Sequence, residues 1–320
     1  MLFCYLFLTI NDYQNFQWII FGLTLLSLLF LIDIKLDEES FITGFFHITL
    51  LTSIAYLANN FSEILSNFYS GNYLERVSFD NSAFTLVAYS AISLYVISLI
   101  KLITANKIEL FTIIGLFISI IIIVLSGTRS VYGGLIVSSF FIMIYLTKNK
   151  KDLLNWFYKF LISLFILFIC LSSFEFFRES VMMRLDKTIT GIENLFGYGT
   201  TIDPSALGRV YQREHALNIF ENAPWFGNGI KHFWVDFPLL QIFSDLGIVV
   251  GLPYVYITLI LPIIITLKYK REKGLLLGLF IALYLSNMPR LFLHGQPYDW
   301  TTYIFISTLF FFYYRNKSKI

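Results

Sequence analysis

The sequence predicts an all-α polytopic membrane protein, with about 9–10 transmembrane helices and one large, partly helical extracytoplasmic loop. Three observations carry this. Hydrophobic residues make up 57% of the chain and charged residues only 14%, against about 25% charged in soluble domains. The apolar residues collect in runs long enough to cross a bilayer, which takes about 20 residues at 1.5 Å rise each. Lysine and arginine cluster in short gaps between those runs, as they do in loops held in the cytoplasm. A soluble core has no use for so much apolar surface, so the solvent is lipid. A net charge of +2 is too small to imply a nucleic-acid partner.

Residues 1–10 are apolar but short, a tenth and thin span or the remnant of one. They lack a basic leading region and more spans follow, so they do not read as a cleavable signal. Candidate spans follow at 16–32, 41–61, 82–100, 109–127, 130–147, 153–174, 238–267, 274–293 and 300–314. Lys148, Lys150 and Lys151 mark one cytoplasmic gap, and Lys268, Lys270, Arg271 and Lys273 another. Arg315, Lys317 and Lys319 mark a third, with Lys101 and Lys107 a weaker fourth. Segments 62–81, 127–130, 175–237 and 294–299 then lie outside. Segment 33–40 falls on the cytoplasmic side yet carries Asp33, Asp37, Glu38 and Glu39 against Lys35. Acidic residues weigh little in this rule. The resulting organisation is 1–174, N-terminal transmembrane helices; 175–237, the extracytoplasmic loop; and 238–320, C-terminal transmembrane helices. Cys4 and Cys170 both lie in apolar runs and read as small apolar residues.

Inside the large loop, Asp203-Pro204-Ser205 reads as a helix start, with Asp as cap and Pro at the first position. That helix should run from about 204 to Asn222 and stop before Pro224. Val210, Leu217 and Phe220 lie near one face. Arg209 and Arg213, four apart, share a face. They either pair with carboxylates such as Glu214 and Glu221 or face water, or they hold an anion between two guanidinium forks. Pro224-Trp225-Phe226-Gly227-Asn228-Gly229 follows, a glycine turn without the Gly-Lys-Ser/Thr of a phosphate-cradling loop. Lys231, His232 and Asp236 come next; His232 and Asp236 are either interfacial polarity or a proton acceptor. Ser126-Gly127-Thr128-Arg129-Ser130 joins two spans with almost no loop. Small residues around it favour Arg129 pointing into the protein over snorkelling to headgroups. Arg290 and His294 follow Pro289 at another span end on the same face.

Three of these stretches resemble the O-antigen polymerase and O-antigen ligase family, and more specifically the Wzy-type polymerases. Ser126-Gly127-Thr128-Arg129-Ser130 is similar to the family's membrane-edge motif. Gly208-Arg209, Ala216-Leu217 and the turn at Pro224–Gly229 resemble its loop helix and glycine turn. Asp236-Phe237-Pro238-Leu239-Leu240-Gln241 with Asp245-Leu246-Gly247 resembles its loop exit. Ligases usually carry a His-Asn pair before the Leu-Gln, where this chain has Asp236-Phe237; polymerases are similar to it in having Asp there.

The resemblance implies a GT-C-like membrane glycosyltransferase that polymerises undecaprenyl-pyrophosphate-linked oligosaccharide repeat units into a surface polysaccharide. It implies inverting transfer at the outer face of the bacterial inner membrane, without metal or other cofactor. Catalytic candidates are Asp236, His232, Arg129 and Arg209. Substrate-binding candidates are Arg129, Arg209, Arg213, Arg290 and His294. The expected partners are the lipid-linked oligosaccharide as donor and acceptor, membrane lipids, a chain-length regulator and a flippase. An O-antigen ligase and a transporter of lipid-linked oligosaccharide are the alternatives.

Overall fold

The computed structural model describes residues 37–70, 84–104, 109–146, 204–229, 235–268 and 274–293, with single positions between 154 and 189 and at 233. Every regular element among them is helical. In chain order these are α1 (Glu38–Asn59), α2 (Phe61–Ser70), α3 (Phe84–Thr104), α4 (Leu110–Ser126), α5 (Arg129–Leu146), α6 (Pro204–Asn222) and α7 (Pro238–Val255). A π-helical turn (Tyr256–Ile260) then leads to α8 (Leu261–Lys268), α9 (Leu275–Asn287) and α10 (Arg290–Leu293). Four described helices are long and apolar enough to cross a membrane: Glu38–Asn59, Val87–Thr104, Pro238–Ile265 and Leu275–Phe292. Leu110–Ser126 and Ser130–Leu146 are apolar but shorter. The protein is an all-α polytopic membrane protein. Expected spans 16–32 and 300–314, most of 153–174, and residues 1–10 lie outside the described residues.

Packing divides the chain into two compact units, Met1–Phe41 with Ala216–Ile320, and Ile42–His215. In the second unit, α3 packs on α4 and α5. Val87, Ala88, Ala91 and Ile92 of α3 meet Ile122, Ile123 and Leu125 of α4 and Val131 of α5 in a buried cluster. Lipid is as apolar as leucine, so close packing and interhelical hydrogen bonds hold such helices together. Both devices are present. Gly115 of α4 has no side chain because a Cβ there would sit 2.7 Å from Ser98 Oγ and 2.9 Å from the Phe46 ring. The Tyr89 hydroxyl donates to Ser130 Oγ at 3.0 Å, and Tyr95 and Ser139 share a hydrogen bond of 2.8 Å. Where α3 turns back toward α4, Lys101 Nζ lies 3.2 Å from Glu109 and 4.8 Å from the centre of the Phe46 ring. Ile54, Leu57 and Phe61 face Ile118, Ile121 and Leu125 across an apolar groove of about 390 Å³.

In the first unit, α9 is enclosed almost throughout, from Leu276 to Asn287. Its start is capped from far away in sequence. Glu38 Oε2 accepts the backbone N–H of Leu275 at 2.7 Å and that of Leu276 at 3.5 Å. Gly274, at φ 85°, makes room, since a Cβ there would lie 2.5 Å from Glu38 Oε1. Phe41 and Phe280 follow the same contact inward, with ring centres 6.2 Å apart. Asp37 caps α1 itself: its carboxylate accepts from the Ser40 hydroxyl and the Glu39 N–H, which holds its pKa below the ordinary carboxylate value. The acidic segment 33–40 therefore has a local use at Asp37 and Glu38. Two of its carboxylates close helix N-termini, where negative charge is favoured.

Two features add to the sequence reading. The segment expected at 62–81 begins with a helix, α2. The span expected at 238–267 is present as Pro238–Ile265, but it is interrupted at Gly247, whose φ of 68° and ψ of −169° are not helical.

Glu38→Ala removes the distant cap and should cost about 1 kcal/mol of stability, seen as a lower Tm in detergent. Glu39→Ala, whose side chain is exposed, should leave the Tm at the parent value.

Candidate functional site

The short connection between α4 and α5 is built by a left-handed glycine. Gly127, at φ 61° and ψ 22°, ends α4 and its N–H donates to Val124 O at 3.2 Å. Only glycine takes this position without strain. Ser126, Thr128 and Ser130 are all buried around it. Arg129 is the first residue of α5. Its side chain lies outside the described residues.

α6 has the bounds the sequence predicted, Pro204–Asn222. Val210 and Leu217 are exposed, whereas Ala216 is fully buried and Phe220 meets the Phe243 ring edge-on at 5.9 Å. Arg213 is half-buried. His215 stacks on Tyr211, with ring centres 5.9 Å apart and planes within 7°. Arg209 lies on α6, one turn before Arg213, with its side chain outside the described residues. Lys231, His232 and His294 are also outside them.

The best defined part of the site joins the glycine turn to the break in α7. Asn228 N–H donates to Ser244 O at 3.1 Å and Gly229 N–H to Asp245 O at 2.9 Å. In the other direction, Ile248 N–H donates to Pro224 O at 2.8 Å and Val249 N–H to Trp225 O at 3.2 Å. These bonds exist because α7 breaks at Gly247, which releases amides and carbonyls from the helical ladder. They also demand two bare α-carbons. A Cβ on Gly227 would lie 2.2 Å from Asp245 O, and one on Gly247 2.3 Å from Trp225 O. Asn228 Nδ2 closes the turn onto α6 by donating to Ile219 O at 2.9 Å.

Just before the break sits a buried polar group. Gln241 accepts the Val235 N–H at 2.8 Å, donates to Phe233 O at 2.6 Å, and donates to Asp245 Oδ2 at 3.1 Å. Asp245 is about 1% exposed. One side chain thus fixes the loop exit against the helix that follows it. Asp236 is half-buried within that exit. α10 packs on α7 and carries Arg290, which is buried, and the Phe237 and Phe292 rings lie 6.4 Å apart. Asp236, Gln241, Asp245 and Arg290 thus belong to one compact unit. The buried hub formed by Gln241 and Asp245 was not among the site residues read from sequence. Its signal was a Gln and an Asp four apart, just before a glycine that breaks an apolar run.

Residues 114–244 match the family model described as O-antigen ligase. No curated protein and no solved structure matches the chain. The matched stretch runs from α4 through the Gly127 turn, α6 and the glycine turn into the start of α7. It therefore contains the first two motifs that carry the resemblance and the Asp236–Gln241 part of the third, and ends just before Asp245-Leu246-Gly247. The match supports a function of the O-antigen ligase and polymerase type in surface polysaccharide biosynthesis, by a glycosyl-transferring enzyme acting on lipid-linked oligosaccharide at a membrane.

Gly227→Ala and Gly247→Ala should each undock the turn, because the new methyl meets backbone that cannot move aside. Gly229→Ala, at φ 101° with open space around it, should cost only about 1–2 kcal/mol, the strain of a left-handed residue. Detergent-solubilised yield and Tm of the three variants check this ordering.

Proposed function

From a chain that carries the O-antigen ligase signature over residues 114–244, we propose a polymerase. It joins undecaprenyl-pyrophosphate-linked repeat units into O-antigen or capsule at the outer face of the bacterial inner membrane. The loop of residues 175–237 is extracytoplasmic in this reading, between N-terminal and C-terminal transmembrane parts. The observation that carries the polymerase over the ligase is Asp236-Phe237 ahead of Leu239-Leu240-Gln241, where ligases have a His-Asn pair.

In this reading the donor sugar leaves its pyrophosphate as the acceptor hydroxyl attacks the anomeric carbon from the opposite face. The C–O bond to the carrier breaks, the new glycosidic bond forms with inversion, and the acceptor proton passes to a base. Arg129 and Arg209 bind the pyrophosphate and stabilise the charge that grows on it, the kind of electrostatic contribution that often dominates catalysis. Arg213, Arg290 and His294 support that binding. Asp236, or else His232, takes the acceptor proton, a contribution of about 10²–10⁴-fold. A planar guanidinium can hold two oxygens at once, whereas an ammonium is a point charge. A chain-length regulator and a flippase are the protein partners.

Arg129→Ala and Arg209→Ala should each abolish long glycan chains while the protein still inserts, and the corresponding lysine variants should fail as well. Gels of envelope glycans from complemented deletion strains check this, and normal chain-length ladders in both alanine variants would refute the assignment. The deletion itself separates the alternatives. Loss of a polymerase leaves single repeats on the final acceptor, and loss of a ligase leaves long chains on the lipid carrier. Product formed by purified protein from lipid-linked repeats in detergent distinguishes either enzyme from a transporter, which yields none without a compartment.

A further inference from the structure

The turn at 223–229 holds two large aromatic side chains away from the protein. Trp225 is 63% exposed and Phe226 77% exposed. Their backbone is nonetheless well anchored. Gly227 N–H donates to Ala223 O at 2.9 Å, and the turn shares four further backbone bonds with residues 244–249. A loop tip in water has no need to display its two most apolar residues on so firmly paired a backbone.

The depth of this turn follows from α7 and α8. Leu246 to Leu267 is a run of twenty-two residues without Asp, Glu, Lys or Arg, and Lys268 closes it. About 20 residues of helix cross the hydrocarbon. Measured from Lys268, the far edge of the hydrocarbon therefore falls at Ile248, immediately after the Gly247 break. Two of the four residues to which the turn is bonded, Ile248 and Val249, lie at that edge. Val249, Val250 and Leu252 are exposed there, as lipid-facing side chains of a span must be. Trp225 O accepts the Val249 N–H, so the aromatic tip is continuous with the lipid-facing side of the span. Pairing of the turn's backbone groups also fits this depth, where water is too scarce to solvate them.

We propose that the 223–229 turn is an interfacial membrane anchor, with Trp225 and Phe226 seated in the boundary between headgroups and acyl chains opposite the Lys268 end of the span. Tryptophan is favoured at that level because its ring is apolar and its N–H can reach a polar partner. The buried Gln241 and Asp245 then lie on the headgroup side of the break, at the surface rather than within hydrocarbon. The anchor fixes the height of the end of α6 above the bilayer. This holds whichever glycosyl transfer the chain performs.

The full-length chain is reconstituted in phosphatidylcholine vesicles, and the contribution of Trp225 is taken as the difference in emission between parent and Trp225→Tyr. In vesicles whose lipid is brominated near the headgroup end of the acyl chain, that contribution should be largely lost. It should be lost less with bromine near the chain's methyl end, and aqueous iodide should leave it intact. Quenching by iodide with no effect of brominated lipid overturns the proposal, as does iodide quenching that an oligosaccharide repeat unit suppresses, which would make the tip a sugar-stacking surface in water. Phe226→Trp in the Trp225→Tyr background repeats the measurement one position along, so failure of a single variant to fold does not decide the outcome.

Discussion

The first unit depends on one close approach between two stretches of backbone. Gly227 and Gly247 each bring an α-carbon to where a methyl would overlap a carbonyl of the other strand. That contact requires the helix to break, and the break in turn supplies the hydrogen-bonding groups that hold the turn. Neither half forms alone: a continuous α7 would have no free amides at Ile248 and Val249, and a free turn would have nothing to bond. Gln241 and Asp245 sit immediately upstream and bind the loop exit to the same segment.

The rest of the molecule solves a different problem. Lipid gives helices little reason to associate, so α3, α4 and α5 rely on a bare glycine at 115 and on hydroxyl pairs such as Tyr89 with Ser130. The same small, polar residues make the Gly127 connection tight enough that two helices meet at Arg129 with almost no loop between them. An arginine at that position cannot retreat along a flexible segment. Its backbone is fixed by the elements on either side.

Much of this was legible in the sequence because it depends on local rules. Asp203-Pro204 set the start of α6 and Pro224 its end, and lipid-length apolar runs set α1, α3, α7 and α9. The break at Gly247 was not legible. An isolated glycine in an apolar run is usually tolerated within a helix, and only the partner turn, twenty residues earlier, makes it a break. The role of Glu38 was hidden for the same reason: its partners lie 237 residues away. Residues that act through distant backbone leave no periodic trace.

The Glu38 contact also bears on how the chain is made. A carboxylate near the start of the first described helix finds its two amide partners only when residues 275 and 276 have been synthesised. Until then the ribosome has delivered most of the polypeptide, and the first unit lacks one of its two stretches of chain. Its closure by this contact is therefore a late event in biogenesis.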